Sequence, residues 1–305
     1  MHTAFFIIAI IISLGLVFGS GEPVKYLWLG VGARTLALGN TGGAIGHLAW
    51  SPYYNPSSVS EYGAFSVSGG NQFLDLGRRI YFASLASEIS DGAGVGITWI
   101  HSSVADVECR DVDGNHEGII DNSTDAIYFS FAKRVIKNLH AGVGVEYIQS
   151  SLENVTAGTA GLGMGLTYRM RAPDLSFGLA AQNLFMELTW NSNSLYGQGQ
   201  VSNEAIPFLI RMGTAYTHHF GEIPLMLSAD IWYHDDSPVY YGFGTEFMPL
   251  PQLAIRAGFT DNRPSAGVGI QTKIGMLSHI GVNYTIVAER EGLAPRHLVD
   301  ITVEY

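Results

Sequence analysis

From about Gly63 to the terminal Tyr305, apolar residues alternate with small or polar ones along segments of 8–13 residues, and turn residues separate the segments. A period of two is the mark of a strand whose two faces meet different surroundings. The pattern is clearest in Ala93, Val95, Ile97 and Trp99, set against Gly94, Gly96 and Thr98, and in Leu139, Ala141, Val143, Val145 and Tyr147, set against His140, Gly142, Gly144 and Glu146. It predicts about fourteen strands, near 63–70, 79–87, 92–101, 124–133, 139–149, 158–170, 174–182, 206–217, 224–234, 239–248, 252–259, 264–274, 279–288 and 297–305.

The two faces differ in an informative way. One is apolar and aromatic; the other is rich in Gly, with scattered charge. A strand half-exposed to water carries many Lys, Glu and Thr on its outer face, and these do not. The apolar face therefore suits lipid, and the Gly-rich face suits a crowded interior. Connections support this reading. Those after even-numbered strands are short, such as 88–91, 171–173 and 249–251, whereas the two longest, 102–123 and 183–205, follow odd-numbered strands. Short turns on one side and long loops on the other are the asymmetry of outer-membrane barrels. The last strand ends on an aromatic residue, Tyr305.

Composition agrees. The chain of 305 residues is 47% hydrophobic and 14% charged, below the roughly 25% charge of soluble domains. A net charge of −11 excludes a phosphate-binding surface, so nucleic acid is not an expected partner. The single cysteine, Cys109, excludes an intrachain disulfide and a cysteine metal cage. Phe5 to Phe18 is an apolar run too short to span a bilayer as a helix, and the small residues Gly19, Ser20 and Gly21 follow it. This predicts a signal peptide over 1–20, cleaved near 19–21, and export to the bacterial outer membrane. An exported, charge-poor chain without an apolar helix has the closed barrel as its membrane solution.

Residues 21–62 precede the alternation. They are Gly-rich and carry Trp28, Trp50, Tyr53 and Tyr54, an aromatic load unsuited to a free tail. They read as packed irregular chain, with Asn55-Pro56 as a turn. The expected architecture is all-β: a transmembrane antiparallel barrel over 63–305, with 21–62 folded into the lumen as an N-terminal hatch.

The ordered motifs Gly32-Ala33-Arg34, Ala37-Leu38-Gly39-Asn40-Thr41-Gly42-Gly43-Ala44 and Asn55-Pro56-Ser57-Ser58 resemble the N-terminal signature of the PorV/PorQ family, relatives of the FadL-type fatty-acid transporters. Matches continue in order through Asp111-Val112-Asp113-Gly114-Asn115, Ser176-Phe177-Gly178-Leu179, Gln182-Asn183, Arg256-Ala257-Gly258-Phe259 and Ala266-Gly267-Val268-Gly269. The resemblance implies a fourteen-stranded barrel with a luminal hatch, acting in type IX-like secretion as a cargo-docking or accessory component. The FadL relatives supply the alternative, a channel for hydrophobic compounds. The expected partners are outer-membrane lipid and either secreted cargo, secretion-system subunits or a hydrophobic small molecule.

Candidate functional residues come from the hatch segment and from strand parity. Arg34, Gly42, Gly43, Asn55 and Pro56 mark the hatch. Glu146, Arg169, Arg211, Asp230, Glu246, Arg256 and Lys273 fall on the inner face, with Asp300 and Glu304 beside them, and their mixed signs suggest mutual pairing. Asp111, Asp113 and Asn115 have calcium-like spacing but lack a complete loop and its terminal bidentate Glu, so a solvated acidic turn is the expectation. His234 to Ser237 sits at a strand end with no converging partner, and tight-turn chemistry accounts for it. No catalytic residue and no cofactor are expected, and an outer-membrane hydrolase is the weakest reading.

Overall fold

The structure, a computed structural model, describes residues 24–61, 65–110, 113–193, 199–235, 237–274, 277–289 and 292–305. The expected signal segment lies outside them. Fourteen strands close into one antiparallel barrel. They are β1 (Ser66–Phe73), β2 (Arg78–Ser90), β3 (Ala93–Arg110), β4 (His116–Ile136), β5 (Leu139–Leu152), β6 (Val155–Arg171), β7 (Asp174–Leu184), β10 (Leu209–Phe220), β11 (Ile223–His234), β12 (Tyr240–Leu250), β13 (Leu253–Thr260), β14 (Arg263–Ile274), β15 (Leu277–Val287) and β16 (Arg296–Glu304). Closure is made by β1 and β16, paired from Ser66 with Glu304 to Phe73 with His297. A separate two-stranded hairpin, β8 (Glu187–Asn191) with β9 (Val201–Ala205), rises between β7 and β10.

Each sequence-derived strand has its counterpart, but the boundaries move. The stretches 102–123 and 183–205, expected as loops, are largely strand. β3 and β4 continue to pair, Val107 with Ile120 and Cys109 with Gly118, beyond Val104 and Asn122, where β2 and β5 end. Above the bilayer both faces of such a ribbon meet water, so the alternation that marks a membrane strand is absent. The strands β8 and β9 are missed because five residues carry too little periodicity.

The alternation within the membrane is confirmed residue by residue. Val143 is 61% exposed and Val145 52%, while His140, Gly142, Gly144 and Glu146 between them are buried. With no water in the bilayer core, an exposed apolar belt on a closed sheet is a lipid contact. The protein is an outer-membrane β-barrel. Val143→Arg should cost about 2–4 kcal/mol of stability, measured by urea unfolding in lipid vesicles; a cost near zero would put this face inward. The even strand number puts both ends of the barrel on one side, and the asymmetry of short turns and long loops makes that side periplasmic. A tag between Glu153 and Asn154 should be reached on intact cells, and one between Gly221 and Glu222 only after permeabilisation.

Residues 24–61 fill the barrel. They contain a 3-10 turn at Lys25–Leu29, α1 (Ala33–Ala37), α2 (Ser51–Tyr54) and a second 3-10 segment at Pro56–Glu61. Their side chains are buried: Trp50 is 2% exposed, Tyr53 7% and Tyr54 0%. The first turn lies beneath the extracellular mouth, where Arg296 Nη1 donates to Leu29 O at 3.3 Å. The last lies at the periplasmic end, where Glu61 meets Arg169. A barrel of eight strands is filled by its own side chains, so one of fourteen has room for this second layer.

Candidate functional site

The inner wall holds the plug through carboxylates and glycines. Glycine allows the backbone of the plug to lie directly on the wall. A Cβ on Gly178 would sit 1.8 Å from Gly43 O, and one on Gly258 would sit 2.2 Å from Gly39 N. No other residue fits these two sites without displacing the chain.

Three buried carboxylates of the wall then bind plug backbone or arginine. Asp230 Oδ2 accepts from Gly42 N at 2.9 Å, Gly43 N at 2.8 Å and Arg211 Nη1 at 3.0 Å. Two consecutive amides aimed at one oxygen make a small anion-binding nest. The same Arg211 nitrogen donates to Asn40 O at 3.0 Å, and its guanidinium lies over the rings of Trp232 at 4.6 Å and Tyr54 at 5.1 Å. Glu246 accepts from Arg34 Nη2 at 2.7 Å, Arg34 Nε at 2.9 Å and Arg256 Nε at 2.6 Å. Asp300 accepts from Ala33 N at 2.5 Å and Asn283 Nδ2 at 2.8 Å. A fork of donors around each carboxylate is what makes a buried charge tolerable.

The far end of the plug is held on the opposite wall. Asn55 Nδ2 donates to Gly43 O at 2.7 Å and lies 3.3 Å from Thr167 Oγ1, to which the Ser57 hydroxyl is bonded at 2.7 Å. Pro56 packs against Gly142, Gly144 and Gly163 of the wall. Ser60 Oγ meets His140 Nδ1 at 2.7 Å, and Arg169 grips Glu61 through contacts of 2.7 and 3.0 Å. Inside the plug, the Tyr54 hydroxyl accepts from Val31 N at 3.1 Å and sits 2.8 Å from Asn40 Oδ1. Burial pushes it up to about 12 against the pull of Arg211, which leaves it a neutral donor.

The parity-derived residues thus line the lumen, with one exception. Arg211 pairs with Asp230 and Arg256 with Glu246 across neighbouring strands, as mixed signs suggest. Arg34 and Glu61 of the plug complete the sets of Glu246 and Arg169. Glu146 is different: it is buried, pairs with no cation among the described residues, and accepts from Asn183 N at 2.6 Å. Lys273 is the exception. It has inner-face parity but sits one residue from the end of β14, exposed at the periplasmic rim. Asp111 lies outside the described residues; Asp113 and Asn115 are exposed, and no cluster of metal-ligating side chains occurs among the described residues.

Sequence reasoning missed His234, Gln182 and Arg296 as inner-wall residues. The signal for the first was present, because the parity that places Asp230 inside also places Trp232 and His234 there. Arg296, 2% exposed, pairs with Glu289 across the loop between β15 and β16.

The lumen divides into two chemical zones. Most of the charged contacts just described, those of Glu246, Asp300 and Arg169, occupy its middle and periplasmic end, which opens into two polar recesses of about 270 and 250 Å³ on either side of His47. On the side of β2 to β5 the extracellular half is apolar. There Ile80, Phe82, Ile100 and Ile148 of the wall meet Leu27, Trp50 and Tyr53 of the plug, and Met186, Leu188 and Ile206 close over them from the hairpin.

The chain matches no protein-family model and no curated protein. Its fold is shared with solved outer-membrane channels. The toluene transporter TbuX of Ralstonia pickettii superposes with a TM-score of 0.62 at 14% identity, over 90% of this chain and 97% of that one. The Pseudomonas putida toluene transporter TodX gives 0.56 at 14% identity, over 90% and 97%. A FadL homologue of Pseudomonas aeruginosa gives 0.58 at 9% identity, over 90% and 98%. The barrel has the FadL-type fold. At these identities the likeness is one of architecture, and the PorV/PorQ resemblance rests on the sequence motifs alone.

Proposed function

We propose that the protein is a FadL-like channel for hydrophobic small molecules crossing the outer membrane. The observation that carries this reading is the apolar wall of β2 to β5 in the extracellular half of the lumen. A barrel that passes hydrophilic solutes presents a polar interior to water. Here Phe82, Ile100 and Ile148 of the wall pack with Leu27 and Tyr53 of the plug into an apolar cluster on one side of the upper lumen. Such a chamber favours a molecule that loses water gladly and rejects a hydrated ion. Two structural neighbours, TbuX and TodX, are toluene transporters, which supports the same reading.

In this reading the plug is the barrier and the β8–β9 hairpin is its cover. A solute leaves water at the mouth, partitions into the apolar chamber, and moves on when the 25–29 turn yields. The polar periplasmic recesses then lower its affinity and let it go. The experiment is uptake of radiolabelled toluene by intact cells whose outer leaflet resists hydrophobic diffusion. Expression of the full chain should raise the rate several-fold over cells lacking it. Equal rates at equal expression would overturn the proposal.

A second reading is favoured by one feature. The projecting ribbon of β3 and β4 offers unpaired strand edges above the membrane, which suits a docking component of the PorV/PorQ kind. Secreted cargo co-purifying with the detergent-extracted barrel, with toluene uptake unchanged, would choose it.

A further inference from the structure

Beneath the extracellular mouth the 3-10 turn Lys25–Leu29 crosses β7, β10 and β11. Trp28 stacks there on His234, with ring centroids 3.9 Å apart and planes 24° from parallel. The space left beside this pair is about 10 Å³, the room of a single water molecule. Leu27, Tyr53, Tyr128 and Leu209 wall it with apolar and aromatic surface.

The residues that line this space carry buried polar atoms without partners. His234 is 2% exposed, yet neither of its ring nitrogens has a hydrogen bond. Gln182 spends its amide nitrogen on Tyr53 O at 2.8 Å, and its Oε1 is unpartnered. Asn183 donates through its backbone to Glu146, and its Oδ1 is unpartnered. Arg211 has Nη1 committed to Asp230 and Asn40, and Nε is unpartnered. The Trp28 Nε1 is buried and unpartnered as well. Buried polar groups in folded proteins are nearly all satisfied, so several orphans around one small cavity point to an occupant other than protein.

We propose that Trp28 is a resident stand-in, and that this is the binding site for a planar aromatic molecule bearing a hydroxyl group. The inference rests on the channel reading and narrows its substrate class. The ring would take the place of the indole against His234, Tyr53 and Tyr128. The hydroxyl would donate to Gln182 Oε1 or Asn183 Oδ1 and accept from Arg211 Nε or a ring N–H of His234. A plain hydrocarbon fills the same shape but leaves these atoms desolvated and unpaired, which a site built for hydrogen bonding penalises. Trp28 itself offers one N–H and no acceptor, so it satisfies less of the site than a phenol does and is displaceable by one.

The probes are p-cresol and toluene, which differ by one hydroxyl, titrated by calorimetry into the detergent-solubilised full chain. The intact protein should bind p-cresol about tenfold or more tightly than toluene. Trp28→Ala removes the competing ring and should tighten both. His234→Phe keeps an aromatic face but loses both nitrogens, and should lower the p-cresol preference several-fold while toluene binding persists. Heat-modifiable gel migration verifies that each variant is a folded barrel. Equal affinity for the two probes in both the intact protein and Trp28→Ala would overturn the proposal, and so would failure of p-cresol to bind folded Trp28→Ala. The two readings separate cleanly. Toluene uptake with no p-cresol preference sinks the hydroxyl site alone, whereas p-cresol preference without uptake of either compound sinks the channel and leaves the site.

Discussion

Asp230→Ala should destabilise the protein by about 3–5 kcal/mol and loosen its plug, the range seen when one partner of a buried ion pair is removed. The reasoning is local. Asp230 is 1% exposed, and its Oδ2 alone accepts from Gly42 N, Gly43 N and Arg211 Nη1. Truncation leaves the Arg211 charge 2% exposed, without its carboxylate, and strips two backbone amides of their acceptor. Asp230→Asn is the informative companion. It keeps one acceptor oxygen for the amides but loses the charge, so its cost should fall between wild type and alanine. Urea unfolding in lipid vesicles gives the energies, and limited proteolysis of the 38–46 segment reports plug release. If Asp230→Ala cost less than about 1 kcal/mol and left the segment protected, water would be reaching Arg211 and the wall carboxylate would not be an anchor.

The strands were legible because each membrane residue meets one of two sharply different surroundings. Val143 against lipid and Gly144 against Pro56 are opposite demands one residue apart, and sequence records them as alternation. The same parity placed Asp230, Glu246 and Arg256 inside. It did not reveal which groups they hold, because the partners come from the plug, whose path follows from backbone contact with glycines rather than from any period. Arg34 on Glu246 illustrates this: both residues were singled out, and only the geometry joins them. Lys273 shows where parity stops being informative. At a strand end the inward side is water, and a charge needs no partner there. His234 shows the reverse error, in which turn chemistry in the residues after it drew attention away from the inner face it occupies. The hairpin β8–β9 left no signal at all, since its short strands cover the plug rather than span the membrane.

Deleting residues 30–56 should turn a closed barrel into a conducting one. The barrel wall itself is continuous without this segment, since every strand pairs with its two neighbours and β1 with β16. The plug contributes no strand to that sheet. What it contributes is the content of the lumen: α1 against β13 to β16, α2 and its aromatic rings in the centre, and the backbone pressed onto Gly178, Gly244 and Gly258. Those glycines put no side chains into the space that deletion would vacate. Water would fill it, because the wall charges Glu246, Arg256, Asp230 and Arg211 would need solvation once their plug partners were gone. In planar bilayers the deleted protein should show stepwise ionic current at protein concentrations where the full chain shows none. Heat-modifiable migration serves as the proof that the shortened chain still folds. A folded, inserted deletion variant that conducts nothing would mean that the hairpin and the apolar side chains of the upper wall close the mouth by themselves. The plug would then act as an internal support for the barrel, and the barrier to solutes would lie at Met186, Leu188 and Ile206 instead.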